Sequence, residues 1–162
     1  MLGRRISVKK MLIFLVVAVI ALLAVFFVHG PFLEPGVEEA VTQALLIQAG
    51  EPQTGQTAAE GHKILQATTK GEELTVYGVF SYGLYQLENG QVQTISDTDA
   101  VPARLIFSAE SAGAWVLQSY AEVEDSAGVK ALFPASLRPF LWIKDVYRGG
   151  LEDQIGRYLA IS

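Results

Sequence analysis

The run Leu74-Thr75-Val76-Tyr77-Gly78-Val79-Phe80-Ser81-Tyr82-Gly83-Leu84-Tyr85-Gln86-Leu87 decides the fold class. It is dense in β-branched and aromatic residues, and both alternating sets of side chains are largely apolar. A strand of that kind predicts burial on both faces and a place at the centre of a sheet. Gly78 and Gly83 predict bulges or bends that curve it. Asn89-Gly90 follows at once, and a type I′ hairpin turn needs positive φ at both central positions, which this pair tolerates best. A return strand is therefore predicted from about Gln91 to Ser96.

Working towards the N-terminus, Lys70-Gly71-Glu72 reads as a turn and His62 to Thr69 as the preceding strand. Glu51 to Gly61 lacks periodicity and reads as a loop. Before it, Val37, Val41, Ala44, Leu45 and Gln48 form one stripe, with Glu38 and Glu39 in the first turn where the helix dipole favours negative charge, and Gly50 and Pro52 as a stop. A helix of about thirteen residues is predicted.

Working the other way, Asp97-Thr98-Asp99 and Pro102 read as a turn, and Ala103 to Ala109 and Ala114 to Glu122 as a hairpin around Glu110 to Gly113. Ser126 is the expected cap of a short helix through Leu132, which Phe133-Pro134 ends. Leu151, Ile155, Tyr158 and Leu159 predict a last short helix. The class is α+β: a curved antiparallel meander of four to five strands, helices over one face, in a cystatin-like order.

Met11 to Val28 is eighteen residues without a charged or strongly polar side chain, preceded by Arg4, Arg5, Lys9 and Lys10. As a helix it would span about 27 Å, close to the ~30 Å of a bilayer's hydrocarbon core. A cleaved secretory signal is the competing reading. The run is longer than a signal's apolar core, Pro31 stands directly after Val28-His29-Gly30, and Ala24 has Leu22 two places before it. The expectation is an uncleaved anchor in the cell membrane. Its basic tail, residues 1–10, is cytoplasmic, its span covers 11–28, its neck 29–36, and the domain over 37–162 lies outside.

From residue 30 onward there are eight Lys+Arg against seventeen Asp+Glu, a net charge of −9. Such a domain is a poor partner for nucleic acid or anionic headgroups. With no cysteine there is no disulfide, thiol catalysis or Cys-ligated zinc.

Glu39-Ala40-Val41, Glu60-Gly61-His62-Lys63-Ile64-Leu65, Val76-Tyr77-Gly78, Tyr82-Gly83-x-Tyr85, Pro102 before Ile106-Phe107, Trp115-x-Leu117-x-x-Tyr120 and Phe133-Pro134 stand in an order that resembles a family of uncharacterised extracytoplasmic bacterial domains. These occur in small single-span proteins and are similar to the outer domains of some receptor-type membrane metallopeptidases. The resemblance covers roughly residues 38 to 140 and implies no activity and no site residues. Where related domains have an Asp-Gly turn after the Trp/Tyr strand, this chain has Glu124-Asp125-Ser126-Ala127-Gly128.

Two constellations stand out. On a strand Glu60 and His62 would share a face, a start for a metal site or an acid/base pair, but the only other histidine is His29 and a structural or surface histidine at a strand start is the favoured reading. Tyr77, Tyr82, Tyr85, Trp115 and Tyr120 are the candidates for a ligand- or partner-binding surface, against a plain role in the sheet core. Asp97-Thr98-Asp99 and Glu122-x-Glu124-Asp125 lack the ligand spacing of a calcium loop. Ser81, Ser108, Ser111 and Ser119 lack a nucleophile-elbow setting or a histidine at triad spacing. The expectation is a non-enzymatic domain without cofactor that binds a membrane or envelope protein, with a small-ligand site in an aromatic-lined concavity as the alternative.

Overall fold

The computed structural model describes residues 15–17, 33–89, 91–110 and 114–142. The chain divides into two units, Met1–Pro31 and Phe32–Ser162. In the first, residues 15–17 are helical and Leu15, Val16 and Val17 are exposed. The remainder of the expected tail and anchor lies outside the described residues, as does the helix expected around Leu151 to Leu159. Among the described residues, no helix is long and apolar enough to cross a membrane.

The second unit is α+β. Helix α1 (Val37–Ala49) leads into strands β1 (Gln56–Lys70), β2 (Glu73–Glu88), β3 (Gln91–Ala109) and β4 (Trp115–Glu122), followed by helix α2 (Ser126–Leu132) and a 3₁₀ turn over Arg138–Trp142. The strands form one antiparallel sheet in the order β1-β2-β3-β4. β2 is thus internal, as its two apolar faces require.

One face of the sheet carries α1. Val37, Val41, Ala44 and Leu45 pack with Ile64, Leu74, Val76, Phe80, Tyr82, Leu105 and Phe107. A second core gathers Leu65 and Val79 with Ala100, Phe133, Leu137 and Leu141. Its β2 member, Val79, alternates with Phe80, so this core lies on the opposite face. The expectation of helices over one face is therefore corrected: a strand apolar on both sides has to be covered on both sides. Full burial of side chains such as Phe80, Phe107 and Leu45 contributes about 1.5–3 kcal/mol each.

Three other expectations are corrected. Residues 56–61 belong to β1, because β2 runs on to Glu88 and its backbone recruits Thr57 opposite Tyr85 and Glu60 opposite Tyr82 whatever their own propensity. Asp97-Thr98-Asp99 and Pro102 form no turn; β3 continues through them for nineteen residues, its register slipping between Phe80/Tyr82 and between Leu84/Tyr85 of β2. Pro102 is accommodated because β4 reaches only Ala103. The cap of α2 is Asp125, whose carboxylate accepts from the Gly128 amide at 2.6 Å.

Gly83, opposite Asp97, lies between the two slips. A Cβ there would collide with the Ser96 carbonyl oxygen and stand 3.0 Å from Asp97 Cα, both backbone atoms that cannot turn aside. Gly83→Ala is expected to lower stability by about 1–3 kcal/mol in urea unfolding of the full chain in detergent, and an unchanged midpoint would refute the close approach.

Candidate functional site

The slip between Phe80 and Tyr82 leaves Asp99 and Ala100 of β3 facing a single residue of β2, Ser81. Ala100 takes up the extra length with φ 50°, a left-handed conformation that costs an alanine about 1–2 kcal/mol. Its amide donates to Ser81 Oγ at 2.9 Å, in place of a ladder bond. Both residues are buried. Ser81 is thus the hydroxyl that holds the bulge.

A cleft of about 440 Å³ opens at this bulge. Ala100, Val101, Pro102, Val123, Val129 and Leu141 line it with apolar surface, and Asp99, Glu124, Asp125, Ser126, Lys130 and Arg138 with polar groups. Arg138 is partly spent on the fold. Its Nε donates to the Phe133 carbonyl at 3.0 Å and its Nη2 to the Lys130 carbonyl at 2.7 Å, satisfying the C-terminal end of α2. Next to the cleft the sheet edge is open. β4 pairs only with Ala103–Ala109, Val123 N donates to Pro102 O at 3.0 Å, and among the described residues no strand lies along the edge of β3 away from β2 between Gln91 and Val101.

On the α1 face, Glu60 and His62 do meet, and a third group joins them. His62 Nδ1 lies 2.7 Å from Glu60 Oε2 and His62 Nε2 lies 2.6 Å from Glu38 Oε2. Thr42 Oγ1 donates to Glu60 Oε1 at 3.1 Å. Burial is the largest single influence on the imidazole and pulls its pKa down, but the hydrogen bonds and charges of Glu60 and Glu38 together carry it above 6.5. With both ring nitrogens directed at carboxylates, neither offers a lone pair to a metal, and among the described residues no cluster of three His, Asp or Glu side chains is arranged to hold one. Sequence reasoning placed Glu38 in the first helical turn for its charge alone. Its role towards His62 depends on how α1 crosses β1, which no local pattern encodes.

The five aromatic candidates do not form one surface. Tyr82 and Tyr120 meet edge-on at 6.2 Å on the α1 face, where Trp115 also packs against the core. Tyr77 lies against Phe133 in the opposite core, with ring centroids 5.4 Å apart. Tyr85 is buried with Ala59, and Val92 packs against the pair. None of the five lines the cleft. The Tyr82 hydroxyl donates to Glu122 Oε1 at 2.5 Å. Burial first, and then the nearby carboxylate, raise the pKa of Tyr82; burial and the neighbouring Tyr82 do the same for Tyr120, so both rings stay protonated.

No family model matches the chain, and no curated protein or solved structure matches it.

Ser81→Ala would leave the buried Ala100 amide without its acceptor and is expected to cost about 1–3 kcal/mol. Ala100→Gly would relieve the left-handed strain and is expected to be neutral or stabilising. Denaturant unfolding of the two variants checks the assignment: equal effects of the same sign would contradict it.

Proposed function

We propose that this chain is a single-pass membrane protein whose acidic domain stands outside the cytoplasm and binds an extended segment of a neighbouring membrane or envelope protein, without catalysis. The anchor reading is supported by the apolar run over 11–28 and its basic flank. The likeness to uncharacterised extracytoplasmic domains rests on residue order and agrees with it.

The observation that carries the binding reading is the open edge of β3 ending in the cleft at Ala100. Backbone left in a strained left-handed conformation and held by a buried hydroxyl is a feature that concentrates at binding sites. An incoming strand can pair with the edge and lay a side chain on the apolar floor, the mode in which main-chain bonds give affinity and a pocket gives selectivity. Asp97 and Asp99 and the two register slips guard the edge against indiscriminate pairing. With Asp99 and Glu124 at the rim and a domain of net −9, the fitting segment combines apolar and basic residues.

A photo-crosslinker placed at Ile95 or Ser126 of the full chain in native membranes is expected to give one reproducible protein adduct, absent when the probe sits at Glu72 in the β1–β2 turn. Ser126→Arg, which crowds the rim from an exposed position, is expected to reduce the Ile95 adduct several-fold. Failure to obtain any reproducible adduct from either position would overturn the proposal.

A further inference from the structure

The His62 cluster joins two elements that are far apart in the chain, and with both carboxylates ionised its geometry fits one charge state of the ring. A neutral imidazole has one N–H, whereas here each ring nitrogen lies at 2.6–2.7 Å from a carboxylate oxygen. Only the imidazolium donates to both. In the neutral form one of the two carboxylates faces a lone pair, and the contact becomes repulsive.

The two carboxylates are not equivalent. Glu60, on β1 itself, is buried and also accepts from Thr42, so it stays in place whatever the charge on the ring. Glu38, on the first turn of α1, has a side chain 63% exposed and is free to turn towards water, while the His62 side chain is only 12% exposed. Loss of the proton therefore releases Glu38 and retains Glu60. β2 presents the uncharged Phe80 ring, with centroids 6.5 Å apart. Glu39 is held by the Gln43 amide at 2.9 Å, and Lys63 follows His62 on the opposite face of the strand.

We propose that His62 is a pH-responsive latch, closed as the imidazolium bridging Glu60 and Glu38, which holds the first turn of α1 on β1 and opens when the proton leaves. The chain enters the domain at this place. Leu33 packs against the first core, Thr69 Oγ1 donates to Glu34 Oε2 at 3.0 Å, and Gly36 begins α1 with no side-chain cap. The latch ties the first turn of α1 to β1 through side chains alone. Its pH direction follows from the raised pKa: the stabilisation is complete below 6.5, the unfolded value, and fades as pH rises through the higher folded value.

The test uses the full chain in neutral nanodiscs and needs no partner. Amide exchange over residues 37–42, corrected for its intrinsic pH dependence, is expected to rise several-fold between pH 6 and pH 8. That rise is expected to vanish in His62→Gln and in Glu38→Gln, the second of which alters an exposed side chain and preserves the fold. The imidazole NMR titration, assigned by its loss in His62→Gln, is expected to move down in Glu38→Gln. Corrected exchange that does not change with pH in the wild type, or that changes equally in Glu38→Gln, would overturn the latch.

Discussion

The structure depends on one constraint: β2 is apolar on both faces and has to be covered on both. Phe80, Leu74 and Val76 demand a layer on one side, which α1 supplies. Val79 demands one on the other, which Phe133, Leu137 and Leu141 supply from the segment after β4. The length of β2, sixteen residues, exceeds what a flat ladder accommodates. Register slips in β1 beside Leu65 and in β3 beside Ile95 and Ala100 bend the strands and let the long ladder curve. The slip at Ala100 also brings Ala100, Val101 and Pro102 to the lining of the cleft.

How much was legible follows from whether a residue's environment is local. The span of α1, the central place of β2, the Asn89-Gly90 hairpin and the span of α2 were readable, because stripe, alternation and turn chemistry are written in consecutive residues. Residues 56–61 were not, because Ala58, Glu60 and Gly61 have no strand preference of their own and extend only along the ladder offered by β2. The continuity of β3 was hidden for the opposite reason. Asp97, Asp99 and Pro102 carry strong turn signals, but each sits where a slip or an open edge removes the penalty for it.

The same distinction separates the candidate site residues. Glu60 and His62 would share a face only if the strand reached back to Glu60, which the loop reading of Glu51 to Gly61 denied; β1 does reach it, and the two side chains meet. Glu38 joins them across 24 residues of sequence, and Ser81 meets Ala100 across 19. Neither contact leaves a trace in composition or spacing. Aromatic density along β2 offered a binding surface beside the favoured role in the core, and alternation within a strand covered on both sides sends Tyr77 and Tyr82 to opposite cores. Density of a residue type identifies a surface only where one face of the strand is free.

His62, Phe80 and Val101 lie in one cross-strand row, so a single line of backbone pairs runs from the latch to the cleft. Adjacency of that kind does not by itself couple them, because coupling needs an element with two arrangements that both sites bias. The first turn of α1 is such an element for the latch, since Glu38 has two environments open to it, water and the imidazolium. β2 is not. Phe80 is fully buried beneath α1, and the next residue, Ser81, is fixed to Ala100 on the other face, so displacing the row would break both cores at once. Proton release at His62 therefore acts on the entry of the chain into the domain and leaves the shape of the cleft unchanged.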